Sequence, residues 1–255
     1  MKKMMFALAC AAAVVAGAEE ITSANVVGYK SYALDTTNPD DYVHNIGVQF
    51  KNVATVDNSY TITDSIFGVD LEDGDVIFVF DPDFYGYTLF TYSEVDVGVM
   101  GFSVMYADGS QGDVVSSLTV NKGDNILYMP VTLDTTPAVS GEVAASGSAT
   151  LEFDMSNGID YIFPITNPFP KATTLADLTC LQDGDVIFIW DSVYYGYTLL
   201  TYSEVEAGVM GLAVMYADGS QGAAITDTSY VVFPEGQGGL YMPTDSRTWT
   251  VTYNY

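Results

Sequence analysis

The stretch LEDGDVIFVFDPDFYGYTLFTYSEVDVGVMGFSVMYADGSQG, residues 71–112, returns 110 residues later as LQDGDVIFIWDSVYYGYTLLTYSEVEAGVMGLAVMYADGSQG, residues 181–222, identical at 31 of 42 positions. The match resumes at LYMP, residues 127–130 and 240–243, after a three-residue difference in length. A repeat of this size makes the chain two versions of one folding unit. Within it Met100, Phe102, Val104 and Tyr106 alternate with Gly101, Ser103 and Met105; the second copy sets Met210, Leu212, Val214 and Tyr216 against Gly211, Ala213 and Met215. Period two predicts a strand with one buried face. Residues 76–80 and 186–190 are apolar on both faces, as a central strand covered on two sides requires. Residues 81–86 and 191–196 supply turn chemistry before the strands at 87–92 and 197–202, so each half is expected to hold a β-hairpin.

Outward from this block the reading stays β. Asp108-Gly109, Lys122-Gly123 and Glu235-Gly236 mark further turns, and no segment shows a helical stripe longer than about two turns. Short helical turns are expected at 93–97 and 172–178. The fold class is therefore all-β: two tandem, internally duplicated β-sandwich or small β-barrel units, since packing sheet on sheet is the simplest way to bury such faces. Residues 19–130 form the first unit and 150–255 the second. Between them, residues 131–149 hold no aromatic side chain and read as a linker or an edge strand.

The chain opens with Lys2 and Lys3, an apolar run from 4 to 15, and Ala16 and Ala18 before Glu19. These are the parts of a secretory signal, residues 1–18, cut after Ala18. The competing reading makes Cys10 an acylated lipoprotein cysteine, but only six apolar residues precede it and Ala7 stands where Leu is usual. Without Cys10, Cys180 is alone and no intrachain disulfide can form, so a small buried thiol is its expected state. No other run approaches the ~18 apolar residues of a membrane helix.

Acidic residues number 33 against 7 Lys and Arg and one His, a formal charge of −26. Loss of residues 1–18 removes two Lys and no acid, deepening the charge to −28. Nucleic acid as a partner is excluded, because no basic stripe can be built to displace counterions from phosphates. Disorder is excluded too, since 49% of residues are hydrophobic and 13% aromatic.

The opening SANVVGY, NPFP at 167–170 followed by TLADL, the DGDVIFIW block and PEGQGGLYMP resemble a group of uncharacterised bacterial secreted β-repeat proteins. That group pairs an NVVGY strand with a DGD-x-I-x-x-W hairpin and a PG-x-GF turn. The first half departs from the pattern, with Phe80 where the second has Trp190 and Lys122-Gly123-Asp124 in place of the Pro-Glu-Gly turn. The resemblance implies export and an all-β fold, and carries no functional residues.

The side chains that could carry chemistry are few in kind. His44 is the only His and no motif brings a nucleophile to it, so it reads as a loop or strand-edge residue. One His and one distant Cys cannot make a zinc shell. The acids common to both copies are Asp73, Asp75, Asp81, Glu94 and Asp108, matched by Asp183, Asp185, Asp191, Glu204 and Asp218. A duplicated glycosidase pair is conceivable among them, but turn-forming Asp explains them more simply. Asp70, Glu72, Asp73 and Asp75, with Asp81 and Asp83 one strand away, are the candidate ligands for calcium, a hard cation that takes several oxygens. The second copy weakens the set, with Cys180 for Asp70, Gln182 for Glu72 and Val193 for Asp83.

Tyr85, Tyr87, Trp190, Tyr195 and Tyr197 are the candidate platform for stacking sugar rings, against the simpler role of sheet packing. At the C-terminal end Trp249, Val251, Tyr253 and Tyr255 alternate with Thr248, Thr250, Thr252 and Asn254. They read as a closing strand, as an edge that pairs with a neighbouring subunit, or as the last strand of an outer-membrane barrel.

These features describe a secreted, non-catalytic protein of the bacterial cell surface or extracellular matrix, with the periplasm as the other exported location. It would work through self-association or adhesion to other surface proteins. The alternative is a carbohydrate-binding module, calcium-dependent if the acid cluster is filled; an outer-membrane β-barrel comes third.

Overall fold

The computed structural model describes residues 26–32, 43–48, 59–84, 86–121, 123–133, 135–143, 147–156, 161–167, 169, 171–194 and 196–253. Residues 1–18, expected to be a secretory signal, and Cys10 within them lie outside the described residues. The fold is all-β, with two similar halves and no α-helix among the described residues. Each half is built on a five-stranded antiparallel sheet. In the first the order is His44–Gly47, Asn125–Met129, Val76–Asp81, Gly86–Asp96, Val99–Met105. In the second it is Phe163–Thr166, Gly238–Met242, Val186–Asp191, Gly196–Glu206, Val209–Met215, so the duplicated segments occupy the same places.

The strand apolar on both faces is the middle one in both sheets. Hairpin register is the same in the two halves: Val76 pairs with Thr91 and Asp81 with Gly86, as Val186 pairs with Thr201 and Asp191 with Gly196. Short two-stranded sheets cover one face of each five-stranded sheet. In the first half Ile62 of Ser59–Ile62, Leu118 and Val120 of Leu118–Asn121, and Val139 of Ala138–Val143 pack on Ile46, Ile77, Phe102, Ile126 and Tyr128. In the second, Phe153, Trp249 and Val251 pack on Ile165, Ile187, Leu200, Leu212 and Tyr241. Burying a Val, Leu, Ile or Phe side chain contributes about 1.5–3 kcal/mol, so these layers hold each half together.

One expectation changes and three are sharpened. Residues 93–97 are not a helical turn: the strand runs on to Asp96 with a bulge between Glu94 and Asp96, matched between Glu204 and Glu206. Residues 131–149, expected to be a linker or an edge strand, carry strands. Ala138–Val143 pairs with Val26–Ser31, and Gly147–Phe153, which begins inside the segment, pairs with Arg247–Tyr253. Each half thus joins its first strand to its last. Trp249 and Val251 face the second core, and Trp249 Nε1 donates to the Asp177 carbonyl at 2.8 Å, so the terminal strand closes its own half. Among the described residues the strands form seven separate sheets. The 172–178 expectation is met in part, by a 3-10 turn at Leu175–Asp177.

The alternation at 100–106 also holds only in part. Phe102 and Val104 are buried, but Met100 is 40% exposed and Met210 39%. The cause is length. The middle strand pairs with its neighbour only as far as Thr91, so the Gly86–Asp96 and Val99–Met105 strands project past it as a two-stranded ribbon that nothing in the sheet extends to meet.

Candidate functional site

Three of the five acids repeated in each half bind their own turns. Asp81 Oδ1 accepts from the Asp83 amide and Oδ2 from Thr88 Oγ1; Asp191 does the same with Val193 and Thr198. Glu94 and Glu204 accept from the Gly98 and Gly208 amides at 2.7 and 2.8 Å, closing the ribbon tips. Asp108 and Asp218 accept from both the amide and the hydroxyl of Ser110 and Ser220. The serine hydroxyl is the main cause that holds each of these two carboxyls below the usual range.

Asp75 and Asp185 are buried and do something different. Asp75 accepts from the Glu72 amide, Tyr128 Oη at 2.8 Å and the Val131 amide at 2.7 Å, tying the turn before the middle strand to the chain leaving its neighbour. Asp185 accepts from the Gln182 amide, Tyr241 Oη and the Thr244 amide and hydroxyl, and adds an ion pair with Arg247 Nη1 at 2.6 Å. Burial first, then the bond to the carboxylate, pushes the Tyr128 and Tyr241 hydroxyls up, so both remain donors.

These bonds bear on the calcium set. Asp75 is buried and spends its oxygens on protein donors, Asp81 and Asp83 share a turn, Glu72 accepts from Thr132, and Asp70 and Asp73 are exposed. The structure does not bring the six to one centre, and among the described residues no three His, Cys, Asp or Glu side chains are grouped to hold an ion. Cys180 is buried as expected, and burial pushes its thiol up to about 11.

The aromatic platform is corrected by the geometry. Tyr85 and Tyr195 lie outside the described residues. Tyr87 and Tyr197, the same position in the two copies, stack on each other with centroids 6.1 Å apart and an 11° interplanar angle, and Tyr197 Oη donates to Tyr87 Oη at 2.5 Å. Edge contacts flank each ring: Phe78 and Phe80 on Tyr87, Phe188 and Trp190 on Tyr197. Burial raises both hydroxyls above their ordinary range. The two rings spend their faces joining the halves and are not free to stack a sugar.

The joint continues through backbone. The Gly47 amide donates to the Gly236 carbonyl at 2.8 Å, and Asn45 Nδ2 to the Gly238 carbonyl at 3.2 Å. Gly236 is needed twice over, for its φ of +83° and because a Cβ there would sit 2.8 Å from the Lys30 side chain and 2.9 Å from Tyr32 Oη.

Beside this joint lies a cleft of about 400 Å3, lined from the first half by Lys30, Tyr32, His44 and Asn45 and from the second by Trp190, Ser192, Glu235 and Gln237. His44 begins an edge strand, stacked on Tyr128 at 5.5 Å with Nε2 3.0 Å from Thr135 Oγ1. Tyr32 Oη donates to the Gly47 carbonyl, and burial followed by the Glu235 charge keeps it protonated. Reasoning from sequence placed Trp190 at a binding surface but missed Lys30, Tyr32, Asn45 and Gln237, because only the packing of one half on the other puts them beside it.

A second feature is apolar. Val99 and Met100 at the ribbon tip, and Met105 further along the same strand, are 52%, 40% and 43% exposed; Val209, Met210 and Met215 are 39%, 39% and 43% exposed at the matching places. Comparison of the chain with protein-family models, with curated proteins and with solved structures found no match in any of the three, and its function is therefore argued from these two features alone.

Proposed function

We propose that this chain is an exported, non-catalytic protein of the bacterial cell surface or extracellular matrix that works by self-association. The observation that supports this most directly is the pair of exposed apolar ribbons, present at equivalent positions in both halves. One isolated apolar side chain on a surface needs no explanation, but apolar side chains exposed on both faces of a projecting hairpin tip, and repeated in the second copy, mark a contact. Methionine suits it, since its unbranched side chain adapts to whatever shape it meets. Two equivalent patches make each molecule bivalent, so contact between like patches links a third molecule to the second instead of stopping at a dimer.

The partner argued for is a second copy of this chain, whose ribbons carry the same residues. Charge opposes it: at −28 each molecule repels its neighbours, and at physiological strength salt screens that repulsion beyond about 8–10 Å. Self-association should therefore strengthen as salt rises. Sedimentation velocity on the mature protein at low and at 0.3 M NaCl tests it: larger species should grow with salt and concentration and fall away in the Met100→Glu/Met210→Glu variant, whose exposed substitutions leave the core alone. A wild-type protein that stays monomeric at every concentration and salt would refute it.

A further inference from the structure

The joint between the halves has the form of a two-fold interface. Where two identical units meet, residues near the axis touch their own counterparts, and every other contact is answered by its reciprocal. Both marks are present. Tyr87 stacks on Tyr197, its counterpart in the other copy. Gly47 and Thr166 hold one register position, facing Asn125 and Gly238 respectively, and a Cβ on Gly47 would lie 2.7 Å from Thr166 Cγ2. Asn125 and Gly238 are counterparts in turn, and a Cβ on Gly238 would lie 3.1 Å from Asn125 Oδ1. The strand Asn125–Met129 touches Phe163–Thr166, and reciprocally Gly238–Met242 touches His44–Gly47.

The face that makes this joint is the back of each five-stranded sheet. Ile126 and Tyr128 belong to the first core, so Leu127 between them points away from it, and Leu240 stands in the same place in the second half. Both are buried, at 3% and 5% exposed, yet neither belongs to a core; the opposite half covers them. The fit is incomplete in its hydrogen bonds. Asn45 Oδ1, both amide atoms of Asn125 and Trp190 Nε1 are buried on strands of this face without a protein partner, and each such group weakens the contact that seals it. Each half meanwhile closes its own core with its own outer strands, and the chain passes from one half to the other once, through residues 144–146.

We infer that this face also fits the other half of a second copy, so that molecules link by exchanging halves. The first half of one chain docks on the second half of another through the same Tyr87–Tyr197 contact that closes a single chain. No new surface is required, because the partner carries the same face. One crossing between the halves is a single hinge, the least that exchange needs. The closed chain competes, since a short tether holds its own second half at an effective concentration of about millimolar, and exchange therefore prevails where molecules are crowded. Each chain has two halves, so exchange passes from chain to chain as well as closing on a pair. This linkage rests on the self-association proposed above for its partner, a second copy, but it uses the joint and not the ribbons.

The test is complementation between two full-length variants of the mature protein, both carrying Met100→Glu/Met210→Glu so that ribbon contact is absent. One adds Tyr87→Asp, which spoils the first face, and the other Tyr197→Asp, which spoils the second. Neither ring belongs to a core, so both should keep the wild-type far-UV spectrum. Alone, every joint that either variant can make has a spoiled face, and each should sediment as a single chain. Mixed in equal amounts at about 100 µM, the intact first half of one and the intact second half of the other make one whole joint. A species of two chains should appear and stop there, because the remaining faces are spoiled. Leu127→Asp and Leu240→Asp form a second pair on the same face and decide the matter if a tyrosine variant does not fold. A mixture of folded variants that stays at the mass of one chain would overturn half exchange, as would either variant pairing with itself. Neither result touches the ribbon contact, which the salt series on unaltered protein reads separately.

Discussion

Asp75 and Asp185 occupy the same position in two copies of one fold, yet their removal should cost different amounts. Asp→Asn keeps the size and one acceptor oxygen while deleting the charge and turning the other oxygen into a donor. At Asp75 the remaining oxygen can still serve the Glu72 amide and Tyr128, and the new amide meets the Val131 N–H, donor against donor. One lost bond to a charged acceptor is about 1.5–3 kcal/mol. At Asp185 the same change also strips Arg247 of its buried counter-ion, with side chains 6% and 0% exposed, and leaves it only the exposed Asp245; stranding one member of a buried pair costs about 3–5 kcal/mol, toward the low end here because Asp245 still compensates part of the charge. Asp185→Asn should thus exceed Asp75→Asn by about 2 kcal/mol. Urea unfolding of the mature protein reads it, with far-UV circular dichroism following the whole chain and Trp249 emission the second half. Adding Arg247→Met to Asp185→Asn should restore part of the loss, because the stranded charge goes with it. Equal losses at the two sites, or no recovery in the double variant, would refute the assignment of the difference to Arg247.

The Tyr87–Tyr197 contact is tested by a double-mutant cycle: each Tyr→Phe should cost about 1 kcal/mol and the pair little more than either, since one hydrogen bond is lost in all three; additive losses would mean that each hydroxyl has another partner. Cys180 should resist thiol reagents at pH 8 in the native protein and react on unfolding. Its thiol stands at about 11 folded against 9.0 unexposed to the fold, so its stabilising share is complete below pH 9 and is lost as pH rises from about 9 through 11. The stability difference between wild type and Cys180→Ala should shrink over that window, and a pH-independent difference would count against burial as the cause.

How much was legible follows from how local each feature is. The hairpins at 76–92 and 186–202 were readable because alternation, turn Asp and Gly all act within a few residues. Phe102 and Val104 read correctly as buried, while Met100 did not, because its exposure depends on where a different strand stops pairing. The Ser, Thr, Gly and Ala of 131–149 left a linker and an edge strand both open, and strands form there because partners more than 100 residues away, Val26–Ser31 and Arg247–Tyr253, lie alongside them. Asp70, Glu72, Asp73 and Asp75 are close in sequence, but alternation and the turn send one into the core and leave the others in solvent.

The amino-acid sequence by itself determined that this protein is all-β and that one unit is built twice, since periodicity and repetition need no knowledge of what touches what. Its tertiary structure alone decided what the repeated residues do. Tyr87 and Tyr197 carry the same label in two copies and become partners only because the halves meet there. Phe80 and Trp190 are one position with two outcomes, a sealed ring in one half and an indole on a polar cleft in the other. The physical reason is that duplication copies local preferences exactly as far as the chain's own neighbours enforce them, whereas burial, pairing and unspent hydrogen bonds depend on surfaces brought together from distant parts of the chain.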